Sequence, residues 1–404
     1  MSGNRQIVVT GIGVVTACGG DRETFWQSLT SGTTGIAPID PPQPLISFPN
    51  VAACSDFDPE ARFDVRMHRK LDRSAQFGLA AADEAIAHSG IEWDDNLRGR
   101  TGVIAGCSIG GSHTQDLCYE RLYKLNKVRS EPMAVPNIMP SASTSQISMK
   151  YGFRGPSFTM TTACASSGHA LGMALWMLRT GQLDVAVSGG HEAMLNLGSL
   201  LAWDGLRVVS SSVCKPFADK RPGMVLGEGG AMLVLETLES ARARGATIYA
   251  ELAGFGMNAD AHHLTAPSLE GPTGAIQAAL ADAGLAPTDI EYINAHGTGT
   301  SGNDMNEIAA IKSAFGDHAH KLAISSTKSM HGHTIGAAGG IEAAATVLAL
   351  HHGVLPPTIN SSPLDPACDL DVIPDVARKQ DISAALSNSF AFGGLNAVLA
   401  FKKA

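Results

Sequence analysis

One order of elements occurs twice along the chain, and it limits the folds available more than any other feature. Gln6–Val15 is an apolar run interrupted by Gly11 and Gly13, and Tyr249–Gly256 echoes it. A helix from about Asp72 to His88, ended by Gly90, precedes the apolar run Thr101–Gly106, just as a helix over Gly274–Ala283 precedes Glu291–Ala295. Both of these strands run into glycine-rich loops, at Ser108–Gly111 and at His296–Thr300. The stretch from Cys164 into the helix-like run Ala170–Leu178 is matched by the stretch from His333 into Ile341–Leu350. Identity between the two parts is low, so the repeat rests on element order. Strands alternating with helices in this way imply a layered α/β architecture. At 404 residues the chain exceeds one simple core, and it divides into halves at 1–249 and 250–404.

Gly11-Ile-Gly13 is expected to form a close-packed turn after a buried strand. It is not a dinucleotide loop, because the third glycine and a suitably spaced acid are missing. A net charge of −9 argues against nucleic acid or an anionic membrane surface as main partner. No apolar run reaches membrane-spanning length, and the start lacks a basic segment followed by a signal-length apolar run. Seven scattered cysteines without Cys-x-x-Cys read as reduced thiols in a cytosol.

Cys164 lies among small residues where the β-branched run Phe158–Thr162 meets a helix. Unpaired N–H groups and the dipole at a helix start favour an anion, which predicts a lowered thiol pKa and a better nucleophile. A lone cysteine there also fits plain packing of a helix start. Two later segments decide between these readings. His296-Gly-Thr-Gly-Thr300 ends a short apolar strand, and Lys328-Ser-Met-His-Gly-His333 leads into a small-residue helix. His331-Gly-His333 could hint at a metal, but Lys328 would repel a cation and no carboxylate or cysteine nearby completes a ligand set.

Cys164, then His296-Gly-Thr-Gly-Thr300, then Lys328-x-x-x-Gly-His333 resembles the condensing enzymes. The similarity is greatest to the β-ketoacyl-acyl carrier protein synthases of type II fatty acid and polyketide pathways, and it runs from Val9–Gly13 to Ser387–Gly394. The resemblance implies a thiolase-like fold: two duplicated α/β halves in five layers, α-β-α-β-α, the first carrying the nucleophilic cysteine and the second the two catalytic histidines. It implies decarboxylative Claisen condensation of an acyl group held on Cys164 with malonyl-acyl carrier protein. Backbone N–H groups of Cys164 and Phe392 would form the oxyanion hole, and Phe392 the gate. His296 and His333 would donate to the enolate oxygen as neutral imidazoles. Helix placement, rather than a neighbouring base, would activate Cys164, because no histidine is adjacent on its amino side.

The resemblance assigns further positions. Lys328 orients a site residue, and Glu342 is a structural acid in network with it, beside a structural monovalent cation. Thr298 and Thr300 contact the phosphopantetheine arm. Ile109, Met133 and Ala134 fall at the acyl pocket. Arg66, Arg69, Lys70 and Arg207 dock the carrier, although a basic face such as Arg62–Lys70 also reads as solvated surface. Asp304 and Glu307 match family acids, while their own positions equally fit a helix cap and first-turn charge. No free cofactor and no catalytic metal are implied, and the assembly is a homodimer or a heterodimer with a related subunit.

The chain departs from the family pattern at Ala391 and Leu395, where glycine and threonine are usual, and at Arg221-Pro-Gly-Met224. Ala391 is expected to stiffen the gating loop, and the role of His331 is open. A thiolase is the first competing reading, but Phe390–Gly394 holds no second cysteine. A chain-length partner subunit is the second, but Cys164 and both histidines are intact.

Overall fold

The computed structural model describes residues 5–39, 44–64 and 71–404. Eleven strands form one continuous sheet. They are β1 (Ile7–Thr16), β2 (Thr101–Gly106), β3 (Ser157–Met160), β4 (Val185–Glu192), β5 (Gly229–Thr237), β6 (Ala250–Ala259), β7 (Tyr292–Asn294), β8 (Ala323–Ser325), β9 (Asp371–Val372), β10 (Ala384–Ala391) and β11 (Leu395–Lys402). Their order is β9-β8-β7-β10-β11-β6-β1-β5-β4-β2-β3. On one side of the β6–β1 contact the strands run β3-β2-β4-β5-β1; on the other they run β8-β7-β10-β11-β6. Parallel and antiparallel neighbours fall in the same places in both. The short edge strand β9 has no counterpart. The two sets meet only through Val8–Glu251 and Val9–Ala250, so the two sheets expected from sequence are joined into one.

Five helices complete the layers: α1 (Arg73–Ser89), α2 (Ser166–Arg179), α3 (Glu270–Ala283), α4 (Asp304–Phe315) and α5 (Ala338–His352). Helix α1 covers β1, β4 and β5, and α3 covers β6 and β11 with α4 beside it. Helices α2 and α5 touch each other and strands of both halves, which makes them the central layer. Their composition suits that place. Every residue of α5 from Ala338 to Leu350 is buried, and most are alanine, glycine or aliphatic, so it presents no polar face. Helix α1 starts where Asp72 accepts from Ser74 N–H and stops at Gly90, whose φ of 63° is the left-handed cap expected of a helix-ending glycine.

Strand β1 does not turn at Gly11-Ile-Gly13 but runs straight through, with a bulge between Val9 and Gly11. The glycines serve close packing. A Cβ on Gly11 would lie 2.2 Å from Ala85 O, and one on Gly13 would lie 2.0 Å from Ala81 O, both on α1. Gly254 and Gly256 of β6 meet α3 in the same way, at 2.6 Å from Ala279 O and 2.1 Å from Ala275 O. The repeat in the sequence is therefore also a repeat of strand–helix contact. Gly13→Ala and Gly256→Ala should each lower stability by about 1–3 kcal/mol, the usual cost of overpacking. Chemical denaturation checks this, and an unshifted midpoint in both variants would refute the close approach.

Candidate active site

Strand β3 ends at Met160, and two residues later the chain enters a one-turn helix, Ala163–Ala165, that feeds α2. Ala163 takes φ 48°, unusual for a residue with a side chain, and this kink sets Cys164 at the tip of the join. Ser166 Oγ accepts from Thr162 N–H at 2.9 Å and donates to Ala163 O at 2.6 Å, which pins the kink. The small neighbours are needed here: a Cβ on Gly106 would lie 2.2 Å from Ser167 N. The same device opens α5, where Ile335 at φ 47° starts the turn Ile335–Ala337. Gly336 is thus the internal counterpart of Cys164.

His333 precedes that second turn. Its Nε2 lies 3.1 Å from Cys164 Sγ, and its Nδ1 accepts from Ile335 N–H at 3.2 Å. A backbone N–H can only donate, so the ring proton sits on Nε2, facing the sulfur. His296 follows β7. Its own N–H and that of Gly297 donate to Glu307, each at 2.8 Å. Its Nδ1 is 3.3 Å from Lys328 Nζ, and because an ammonium only donates, this ring too carries its proton on Nε2. The two rings are 5.4 Å apart and nearly perpendicular, and a ring nitrogen of each lies within 4.8 Å of the other's and of Cys164 Sγ.

Burial, the Lys328 charge and a histidine neighbour (His333 beside His296, His331 beside His333) hold both imidazoles well below the usual pKa, so both are neutral near pH 7. Cys164 departs from the sequence expectation. Burial pushes its thiol up to about 12, while the Lys328 charge and the N–H groups of Phe392 and of Cys164 itself pull it down. The helix start therefore does not make it a resting thiolate. A histidine does adjoin it, from the other half of the chain. The trio does not suit a metal. Two tetrahedral zinc ligands at normal bond lengths sit about 3.6 Å apart, so 3.1 Å is a hydrogen-bond separation, and the Lys328 ammonium opposes a cation.

Lys328 and Glu342 form an ion pair in which neither side chain is exposed. Lys328 also donates to His296 O at 2.7 Å. Burial pushes the Glu342 carboxyl up to about 7, with Lys328 pulling it back. Glu342 Oε2, Asn294 Oδ1, Ser387 Oγ and Asn388 Oδ1 are buried without hydrogen-bond partners among the described residues. Asn294 and Ser387 are paired across β7 and β10, and α5 packs against β10. Oxygens from Glu342, Asn294 and Ser387 are of the type that suits a monovalent cation, whereas Asn388, next to Ser387 on the strand, faces the other side and donates to Glu307. Glu307 and Asp304 are in the first turn of α4, as a capping reading expects, yet both are fully buried and serve the histidine loop. Asp304 accepts from Gly299 N–H at 3.2 Å and Phe217 N–H at 2.9 Å, and burial pushes its pKa up to about 6.

A cavity of about 350 Å³ opens onto Cys164, His296 and His333, with Thr298, Thr300 and Phe392 in its wall. The two threonine hydroxyls are 2.8 Å apart. Phe392 stacks on Trp203 at 6.3 Å and begins the turn between β10 and β11, where Gly393 and Gly394 take positive φ. Ala391 lies in β10 without a positive φ, so alanine costs no backbone strain there. Ile109, Met133 and Ala134 do not line this cavity: the first two are exposed and Ala134 is buried elsewhere. Arg207 is exposed next to Leu206, a residue of the cavity wall. Arg66, Arg69 and Lys70 lie outside the described residues. Buried His331 bonds Thr327 Oγ1 at 3.0 Å, and its ring lies 6.4 Å from Phe25. Asp260, His263 and Asn396 line the cavity without having been read from sequence, since they belong to no motif.

Residues 4–241 match the family model "Beta-ketoacyl synthase, N-terminal domain", and residues 249–362 match "Beta-ketoacyl synthase, C-terminal domain". The chain is 44% identical over 400 residues to "Nodulation protein E" of Rhizobium sp. (strain N33), covering 99% of this chain and 100% of that protein. It is 41% identical over 412 residues to "3-oxoacyl-[acyl-carrier-protein] synthase 2" of Staphylococcus aureus (strain N315), covering 100% and 99%. A solved structure, "The ishigamide ketosynthase/chain length factor", superposes with a TM-score of 0.93 at 34% identity, covering 99% of this chain and 100% of that one. With its thiolase-like layering and its Cys–His–His centre, the chain belongs to the β-ketoacyl synthase family.

Proposed function

We propose that Cys164 carries the acyl chain and that His296 and His333 stabilise the enolate in the reaction of this family. The enzyme is an acyltransferase, a type II β-ketoacyl-acyl carrier protein synthase. In the first stage the Cys164 sulfur attacks the thioester carbonyl of an acyl-carrier substrate. The tetrahedral oxyanion is held by the N–H groups of Cys164 and Phe392, the two backbone donors that favour the thiolate. The carrier thiol leaves with the proton that the cysteine gives up. In the second stage the malonyl thioester loses CO2, and its enolate oxygen accepts from Nε2–H of His296 and His333. The enolate carbon attacks the Cys164 thioester and expels the thiolate, giving the β-ketoacyl-carrier product.

The observation that carries this reading is the pair of neutral imidazoles whose Nδ1 atoms are both occupied by donors, which leaves two Nε2–H groups beside the sulfur. Lys328, Glu342, Asp304 and Glu307 act through position and charge. Glu342, Asn294 and Ser387 would hold a monovalent cation, which would supply positive charge behind the histidine loop. Thr298 and Thr300, in the cavity wall, contact the phosphopantetheine arm that carries the substrate.

The halves 1–249 and 250–404 act as one catalytic unit, the first supplying the nucleophile and the second the donors. Ile109, Met133 and Ala134 line the acyl end only if a second copy or a related subunit covers the exposed Ile109 and Met133. Two subunits, identical or related, are therefore part of this reading; the ketosynthase/chain length factor relative is described by its name as such a pair. Arg66, Arg69, Lys70 and Arg207 dock the acidic carrier and offset the overall charge of −9. The place of action is the cytoplasm, in keeping with seven unpaired cysteines; no described helix is long and apolar enough to cross a membrane.

Three measurements test this assignment. His296→Ala and His333→Ala should each cut condensation by about 10²–10³ while Cys164 still becomes acylated, the usual loss for one oxyanion donor; normal turnover in either variant sinks the mechanism. A thiol with a pKa near 12 is protonated through neutral pH. Alkylation of Cys164 by iodoacetamide should therefore rise about tenfold per pH unit from pH 7 to 9, because the thiolate is the reacting form. A rate already level at pH 7 would mean a resting thiolate. Reversing Arg66 and Arg69 to Glu should raise KM for carrier-bound substrate and weaken its salt dependence, leaving a small pantetheine substrate unaffected. Equal damage to both substrates would make the patch structural.

A further inference from the structure

Glu192 ends β4, is fully buried, and takes no part in the steps above. Its carboxylate accepts from Ser108 N–H at 2.7 Å, from Ser108 Oγ, from Cys107 Sγ at 3.5 Å and from Gly336 N–H at 3.2 Å. These partners are all neutral. A buried carboxylate held by dipoles alone is costly to keep, which directs attention to what it holds. On one side is the Ser108–Ile109 loop of the first half. On the other is Gly336, in the turn that follows His333. Ser167, three residues after Cys164, donates to Gly336 O at 2.5 Å, so this one residue is gripped at its N–H by Glu192 and at its carbonyl by the helix that follows Cys164. The fit allows no side chain on Gly336, since a Cβ would lie 2.5 Å from Ser108 N and 2.6 Å from Glu192 Oε2.

The residue before Gly336 is Ile335, strained at φ 47°, and its N–H sets the tautomer of His333. We propose that Glu192 is a positioning residue for His333: by fastening Gly336 it holds the strained Ile335 N–H against His333 Nδ1 and so keeps the ring proton on Nε2, where the enolate needs it. The same carboxylate ties this turn to the Ser108–Ile109 loop, so the placement of the condensation donor is linked to that loop. This inference rests on the assignment of His333 to enolate stabilisation. Cys164 acylation uses backbone donors instead and should not sense Glu192.

The test is Glu192→Gln, which keeps the shape but replaces a charged acceptor with a neutral amide oxygen and so weakens its bonds to Ser108 and Gly336. Acylation of Cys164, measured in a single turnover, should stay within about twofold of wild type, while kcat for condensation falls about tenfold or more with KM for malonyl-carrier little changed. A role in folding alone would lower both rates together, or neither, and either result overturns the proposal. His333→Ala is measured alongside. If it fails to separate acylation from condensation, the assignment of His333 falls and the inference falls with it; if it separates them and Glu192→Gln does not, only the inference falls. Should Glu192→Gln not fold, Ser108→Ala removes one hydroxyl donor from the same carboxylate. It should show the same split in smaller measure, and its absence overturns the proposal.

Discussion

An ammonium and a carboxylate meet in the middle of this protein with no solvent near either: Lys328 against Glu342. Stripping two charges of water costs several kcal/mol, and mutual attraction alone does not reliably offset it. Lys328 adds a hydrogen bond to His296 O and a contact with His296 Nδ1, so its donors are used in full. The rest of the site takes its electrostatic character from this cation. It helps keep His296 and His333 neutral, and it is the largest influence lowering the pKa of Cys164. Glu342 fixes it from α5, a helix otherwise free of charge along its buried length.

The duplication also explains why a chain of two like halves has one centre. Cys164 and Gly336 occupy corresponding turns, each opened by a strained residue. In the first turn the N–H of Cys164 faces the reacting sulfur. In the second the N–H of Gly336 is already taken by Glu192. The second half thus has its anion built in, a carboxylate of the protein itself.

Much of this could be read from residue order. Resemblance to the condensing enzymes picked out Cys164, His296, Lys328 and His333, and the structure brings all four together with Glu342; the α/β layering followed from the alternation of strand and helix. What sequence missed depends on three-dimensional neighbours. Gly11 and Gly13 read as a turn because glycine marks turns, and nothing local reveals that α1 lies against them. Cys164 read as a low-pKa thiol from its helix start, because burial is a property of the assembled core. Asp260, His263 and Asn396 reach the cavity from stretches with no motif, and Glu192, at the end of β4, belongs to none either. Ile109 and Met133 lie on the surface of a single chain, a position that residue order does not encode.

The central helices carry a further consequence, for how the protein is made. Helix α2 belongs to the first half but packs on β6 and β11, and α5 belongs to the second half but packs on β4 and β5. Each also packs on strands of its own half, α2 on β2 and β4 and α5 on β10, so each central helix is shared between the two. As the chain leaves the ribosome, the parts of β4 and β5 that α5 covers stay open until residues up to His352 have emerged. Cutting the chain between the halves would strip each piece of one helix that covers it, so the layering works against expression in pieces.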